Sequence, residues 1–191
     1  MPTRRKRPKL ILCAALTADG KLDFSVPAVP SALYGGDKDP TRHPWAALYD
    51  GASGVLVDSE TADALQMPEA AARPMLLVRW GELAGWHTAE LRAGLLGVLR
   101  RFGKDDAGPV LCFGGTRLFR ALLDARLVDE LHLIVRPVID GRLGSAALSG
   151  ACGAFFPASV ACRLMRMEPS GDECLLHYRV LRGNRLRARE V

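Results

Sequence analysis

Val110, Leu111, Cys112 and Phe113 form an unbroken apolar run that ends at Gly114-Gly115, and this junction constrains the fold more than any other stretch of the chain. A strand with no polar face must be covered on both sides, so the run predicts a central strand with helices above and below the sheet. After the glycines, Leu118, Phe119, Leu122 and Leu123 recur at helical spacing within Thr116 to Ala125, an amphipathic helix that packs back on the sheet. Glu130 to Arg136 reads as the next strand. Such a strand-helix-strand unit joins parallel strands and leaves Gly114-Gly115 at the carboxyl end of its first strand, where open α/β sheets bind ligands.

Two readings of this turn are open. Glycine lets a ligand approach the backbone without a Cβ, and the first turn of a helix carries unpaired N–H groups at its positive end, so a phosphate suits the position. Alternatively, the two glycines only turn a strand into a helix. The longer G-x-G-x-x-G and P-loop patterns are absent.

The rest of the chain supplies the other elements. Lys9 to Leu16 is a strongly apolar first strand, and Thr17 to Gly20 is a turn in which Asp19 bonds backbone N–H groups and Gly20 takes φ > 0, a structural role for Asp19. Pro27, Pro30 and Gly35-Gly36 make residues 23 to 37 a loop, and long loops in compact domains are often functional. Asp39-Pro40 predicts a helix start, with Pro44 still in the first turn and Gly51 as the stop. Gly54 to Asp58 is a buried strand. Around Ser59 to Gln66 a turn and short helix follow, in which Thr61 either faces a ligand or helps to cap the helix. Pro74 to Arg79 is a third strand, Thr88 to Phe102 a helix ended by Gly103, and residues 142 to 158 a Gly/Ala/Ser-rich loop. Val160 to Met167 and Glu173 to Leu181, joined by residues 169 to 172, predict a hairpin.

With 191 residues and ordinary apolar and charged fractions, the chain suits one domain, with a core over residues 8 to 182. The apolar runs fall short of a membrane span, and the basic start leads directly into a strand, so a cytoplasmic protein is expected. The formal charge of +5 gathers at the ends, in Arg4, Arg5, Lys6, Arg7 and Lys9 and in Arg182, Arg185, Arg187 and Arg189. These read as solvated tails. No aromatic residues interleave with them, so nucleic-acid binding is not expected. The five scattered cysteines read as free thiols. His43, His87, His132 and His177 are far apart in sequence, and no cluster with ligand spacing predicts a metal site.

The run GGTRLFRALLDARLVDELHLIVRPVIDG from Gly114, the turn LTADGKLD from Leu16 to Asp23, and GVLVDSET from Gly54 to Thr61 resemble, in this order, the reductase domain of the bacterial riboflavin deaminase-reductase, the RibD C-terminal domain family, and its stand-alone archaeal relatives. The resemblance implies a three-layer α/β fold like that of dihydrofolate reductase, with a mostly parallel central sheet and a C-terminal antiparallel hairpin. It also implies NADPH as cofactor, a homodimer, and reduction of a pyrimidine-ribosylamine. Carried over by position, the cofactor contacts fall on Ala15, Thr61, Gly114, Gly115, Thr116, Arg117 and Leu118. Arg117, and after it Arg79, are the nearest cations for the cofactor's 2′-phosphate. The loop before the first helix borders the substrate in the family, which makes Ser31 and Tyr34 candidate substrate contacts.

On the substrate side the chain departs from the family. Phe113 stands where members carry a glutamate, Leu12 where the bacterial enzymes have a lysine, and Tyr49 where a helix arginine meets the ribose phosphate. The family's D-D-P-x-L-T-x-R segment is replaced by residues 62 to 73. Lys38, Arg42 and His43 lie where they can supply a cation instead. Two functions follow: a reductase acting on a pyrimidine, pterin or other heterocycle, or a cofactor-binding or scaffold relative without the chemistry.

Overall fold

The structure is a computed structural model, described here for residues 7–23, 44–64, 74–79, 88–103, 108–142, 145–148 and 160–181. Seven strands form one sheet: β1 (Leu10–Thr17), β2 (Gly54–Asp58), β3 (Met75–Val78), β4 (Val110–Cys112), β5 (Glu130–Arg136), β6 (Cys162–Ser170) and β7 (Glu173–Val180). Among the described residues four helices lie between them: α1 (Ala46–Asp50), α2 (Ser59–Ala64), α3 (Thr88–Arg101) and α4 (Thr116–Asp124). The strand order is β3-β2-β4-β1-β5-β7-β6. β1 to β5 pair in parallel, and β7 joins β5 and β6 antiparallel. The mostly parallel sheet and C-terminal hairpin expected from the sequence are therefore present.

Side-chain alternation along β1 sorts the core into two layers. Leu10, Leu12, Ala14 and Leu16 face Leu95 and Leu99 of α3 and Leu118, Phe119 and Leu122 of α4. Ile11, Cys13 and Ala15 face the opposite way, toward Trp45 and Tyr49 around α1, together with Leu111 and Phe113. A period of two sends neighbours to opposite faces, so a parallel strand needs both neighbours apolar, as the Val110 to Phe113 run requires. Each fully buried leucine or phenylalanine contributes about 1.5–3 kcal/mol of burial. Among the described residues, no helix is long and apolar enough to cross a membrane.

Several boundaries differ from the expectation. Helix α1 begins at Ala46 after a turn at Pro44-Trp45, and the expected start at Asp39-Pro40 lies outside the described residues. Pro169 and Ser170 belong to β6, and only Gly171-Asp172 make the turn, with Gly171 at φ 62°. A proline fits there because β6 is the edge of the sheet and needs no outward N–H.

Two sequence expectations are overturned by long-range packing. Arg7 and Lys9 are not part of a free basic tail. Arg7 is bonded to Asp129 Oδ2 at 2.6 Å and to the Leu127 carbonyl at 2.5 Å, and Lys9 Nζ lies 2.9 Å from Glu130 Oε1. Nor are His132 and His177 isolated. The antiparallel register of β5 and β7 sets them directly opposite each other, with ring centroids 4.2 Å apart. Forty-four intervening positions hide that pairing from any local spacing rule, because strand register is set across the sheet. Cys13 and Cys112 are buried free thiols, as expected, and burial pushes the Cys112 thiol up to about 12.

Candidate active site

The carboxyl ends of β1, β2 and β4 lie side by side, and the turn at Gly114-Gly115 leads from the last of these into α4. Gly115 is the residue before the helix, at φ 47° and ψ 142°, and its carbonyl accepts the Phe119 N–H at 2.9 Å. The N–H groups of Thr116, Arg117 and Leu118 thus precede the first intrahelical donor, Phe119, and form the positive end of a nine-residue helix. Gly115 and Thr116 are half-buried and Arg117 is exposed, whereas Gly114 and Leu118 are buried. Leu118 belongs to the α4 core stripe, so only its backbone is placed for a ligand.

Asp58 is the residue that sequence reasoning missed. It is 2% exposed at the end of β2, and its Oδ1 accepts the Thr61 N–H at 2.7 Å, which caps α2. The signal was present as an aspartate directly before Ser59-Glu60-Thr61. The same carboxylate abuts the Gly-Gly turn. A Cβ on Gly115 would lie 2.6 Å from Asp58 Cγ and closer still to Oδ2, and one on Gly114 would lie 2.5 Å from Val57 Cγ2. Close packing against the end of β2 therefore requires both glycines, whatever they bind.

Thr61, Gly114, Gly115, Thr116 and Arg117 are thus gathered at one corner. Arg117 Nη1 is 3.4 Å from Glu60 Oε1, with both side chains about two-thirds exposed at 67% and 70%, a pair worth little in water. Ala15 lies on β1, 2% exposed in the α1-side layer, and its carbonyl accepts the Asp23 N–H at 2.9 Å.

Asp19 takes the structural role expected of it. Its carboxylate accepts from the Thr17 hydroxyl at 2.6 Å and from the Asp140 and Gly141 N–H groups at 3.1 and 3.2 Å, which fastens the turn after β1 to the segment after β5. The Thr17 hydroxyl, followed by the Asp140 N–H, holds its carboxyl down at about 2. On the far side of β1, Arg136 closes this edge of the sheet through Asp23 at 2.6 Å and Glu173 at 3.0 Å.

Two of the three single-residue departures from the family fall in one place. Phe113 is 2% exposed and packs on Trp45, ring centroids 5.8 Å apart, in the same layer as Tyr49. Leu12 does not join them. It points to the α3 and α4 side of the sheet, and the β1 residue on the Phe113 face is Cys13. The expectation that Leu12 stands with Phe113 and Tyr49 on the substrate side is therefore corrected by strand alternation. Ser31, Tyr34, Lys38, Arg42 and His43 lie outside the described residues.

The profile of the RibD C-terminal domain family matches residues 48–176 of the chain. This chain belongs to the RibD C-terminal domain family. No curated protein matches it. Among solved structures, a pyrimidine reductase-like protein from Corynebacterium diphtheriae superposes with a TM-score of 0.61 at 14% identity, covering 92% of this chain and 93% of that one. Acinetobacter baumannii RibD gives 0.62 at 16% identity over 92% of this chain and 59% of its own length. The Thermotoga maritima diaminohydroxyphosphoribosylaminopyrimidine deaminase/5-amino-6-(5-phosphoribosylamino)uracil reductase gives 0.59 at 21% identity, over 92% and 57%. The chain therefore spans somewhat more than half the length of these last two proteins, and at such identities the likeness is one of fold. As a RibD C-terminal domain, the chain has the α/β fold expected of it, with the Gly-Gly turn at the carboxyl edge of the parallel strands.

Proposed function

We propose that this RibD C-terminal domain is an NADPH-dependent reductase of a heterocyclic substrate, chemically related to the uracil reductase named for the Thermotoga protein. The observation that carries the reading is the half-buried Gly115-Thr116 backbone at the amino end of α4, set at the carboxyl edge of the sheet beside the exposed cation Arg117. The residues fit the cofactor. Backbone N–H groups of residues 115 to 118 would hold a pyrophosphate, Arg117 the 2′-phosphate, and Thr61 and the Ala15 segment would border the rest. Bound NADPH supplies the hydride. The protein's share is to hold the acceptor carbon in place and exclude water. Ser31, Tyr34, Lys38 and Arg42, which lie outside the described residues, are proposed to meet the substrate.

A second reading is favoured by one observation. Trp45, Tyr49 and Phe113 form a buried apolar layer on the face where the family's substrate groups are expected. A site with aromatic rings in place of the family's glutamate and arginine loses orders of magnitude in sugar recognition, so a domain that binds NADP without reducing the riboflavin precursor is the alternative. Calorimetric titration with NADPH, followed by NADPH consumption with a set of pyrimidine and pterin substrates that includes the phosphoribosylamino-pyrimidine, separates the two. Binding with turnover supports the reductase, binding without turnover supports the alternative, and absence of binding overturns both.

A further inference from the structure

We propose that Glu130, His132 and His177 form a transition-metal site of the two-imidazole, one-carboxylate kind suited to zinc. The three side chains come from facing strands. Glu130 and His132 are two residues apart on β5 and share a face, and β7 sets His177 opposite His132 on that face. One ligand atom from each lies within 4.8 Å of the others. The Nε2 atoms of His132 and His177 are 3.7 and 3.2 Å from the same atom, Glu130 Oε2. Ligand atoms around tetrahedral zinc, at metal distances of about 2.0–2.2 Å, stand about 3.3 Å from one another. The two observed separations bracket that value.

The hydrogen-bond geometry points the same way. Both Nε2 atoms are shut off from solvent, and neither makes a well-directed hydrogen bond. Two imidazole nitrogens converging on one carboxylate oxygen, without an in-line N–H···O bond, leave a gap that a small cation with three polar ligands fills. Lys9 does not block it, because its ammonium bonds the other oxygen, Oε1. That contact fixes the carboxylate from the outside, as outer partners of metal ligands do.

The neighbouring charges decide which metal fits. Besides Lys9, Arg179 of β7 stands opposite Glu130, and Arg163 and Arg166 of β6 stand opposite Arg179 and His177 in the same rows of the sheet. With one carboxylate among basic side chains, of which Arg166 is paired with Glu168, the site disfavours calcium and magnesium, which need several oxygen ligands. Zinc and similar ions draw their affinity from imidazole. Glu130 opens β5, whereas the Gly-Gly turn follows the carboxyl end of the parallel β4, so the two sites lie toward opposite edges of the sheet. The metal would clamp the parallel strands to the hairpin and take no part in reduction.

The test uses the full chain, stripped with a chelator and titrated with zinc chloride against a chromophoric competitor. One zinc per chain is expected, with affinity falling about tenfold or more in both His132→Gln and His177→Gln. X-ray absorption at the zinc edge of the wild-type protein needs no variant to fold, and should show two imidazoles and oxygen ligands. A wild-type protein that takes up no stoichiometric zinc, a sulfur-rich coordination shell, or uptake undiminished by both histidine substitutions would overturn the proposal. None of these readouts depends on reductase activity.

Discussion

The Asp58 carboxylate occupies the space that a Cβ on Gly115 would need. One glycine therefore serves two neighbours, the helix that starts after it and the strand end packed beside it. Gly115 also sits at φ 47°, where an L side chain is strained. Gly115→Ala is expected to cost about 2–4 kcal/mol from strain and overlap together. Urea unfolding measures this. The double variant with Asp58→Ala should recover part of the loss, since the two sites are in contact and do not add. Full additivity in that cycle would show that the overlap with Asp58 is not the cause.

Arg117 offers a test of cofactor choice that leaves the packing alone. Its side chain is 67% exposed and, among the described residues, makes a long ion pair with Glu60. Removing one charge-assisted contact costs about 1.5–3 kcal/mol, so Arg117→Ala should weaken NADPH binding by about tenfold to a hundredfold while leaving NADH unchanged. Equal affinity of the wild type for both nucleotides would sink the assignment.

Phe113→Glu, which restores the family residue, is expected to destabilise the chain rather than create a better enzyme. Phe113 is 2% exposed against Trp45, and a carboxylate placed there loses its hydration without a partner. A cost of about 3 kcal/mol or more follows from burying an unpaired charge. Wild-type turnover of the riboflavin precursor should be poor, because two polar substrate contacts are replaced by packed aromatic rings. An ordinary rate of NADPH consumption, or a stable and faster Phe113→Glu variant, would contradict this.

Asp19 sets an acid limit. Its folded carboxyl, at about 2, lies below the ordinary value of 3.8, so the stability it contributes is complete above pH 4 and is lost as pH falls toward 2. Asp19→Asn should lack this part of the acid dependence and lower stability at neutral pH. Parallel melting curves for the two proteins from pH 5 to 2, with a constant gap throughout, would disprove it.

The outer strand β6 carries exposed Leu164, Met165 and Met167, at 49%, 42% and 64%. Apolar side chains on an unpaired edge invite a partner, and a homodimer through this hairpin is the expected state. Light scattering at micromolar concentration should report a dimer, and Met167→Lys should shift it toward monomer. A monomeric wild type would remove this reading.

The sequence alone determined the elements and their layering, because both are written in short-range pattern. Four apolar residues before Gly114 could only be a strand covered on two sides, and the stripe from Leu118 to Leu123 could only be a helix resting on it. Glu130–Arg136 was legible to the residue, since alternation and turn residues bound it closely. What the tertiary structure decided are the meetings between distant residues. Asp58 against Gly115, Arg7 on Asp129, and His132 facing His177 across Glu130 all depend on strand order and register. Leu12 and Phe113 shared a site in the sequence reading and lie on opposite faces of the sheet, because a strand turns each successive side chain over. Local pattern specifies which face a residue buries, whereas only the folded sheet specifies what it meets there.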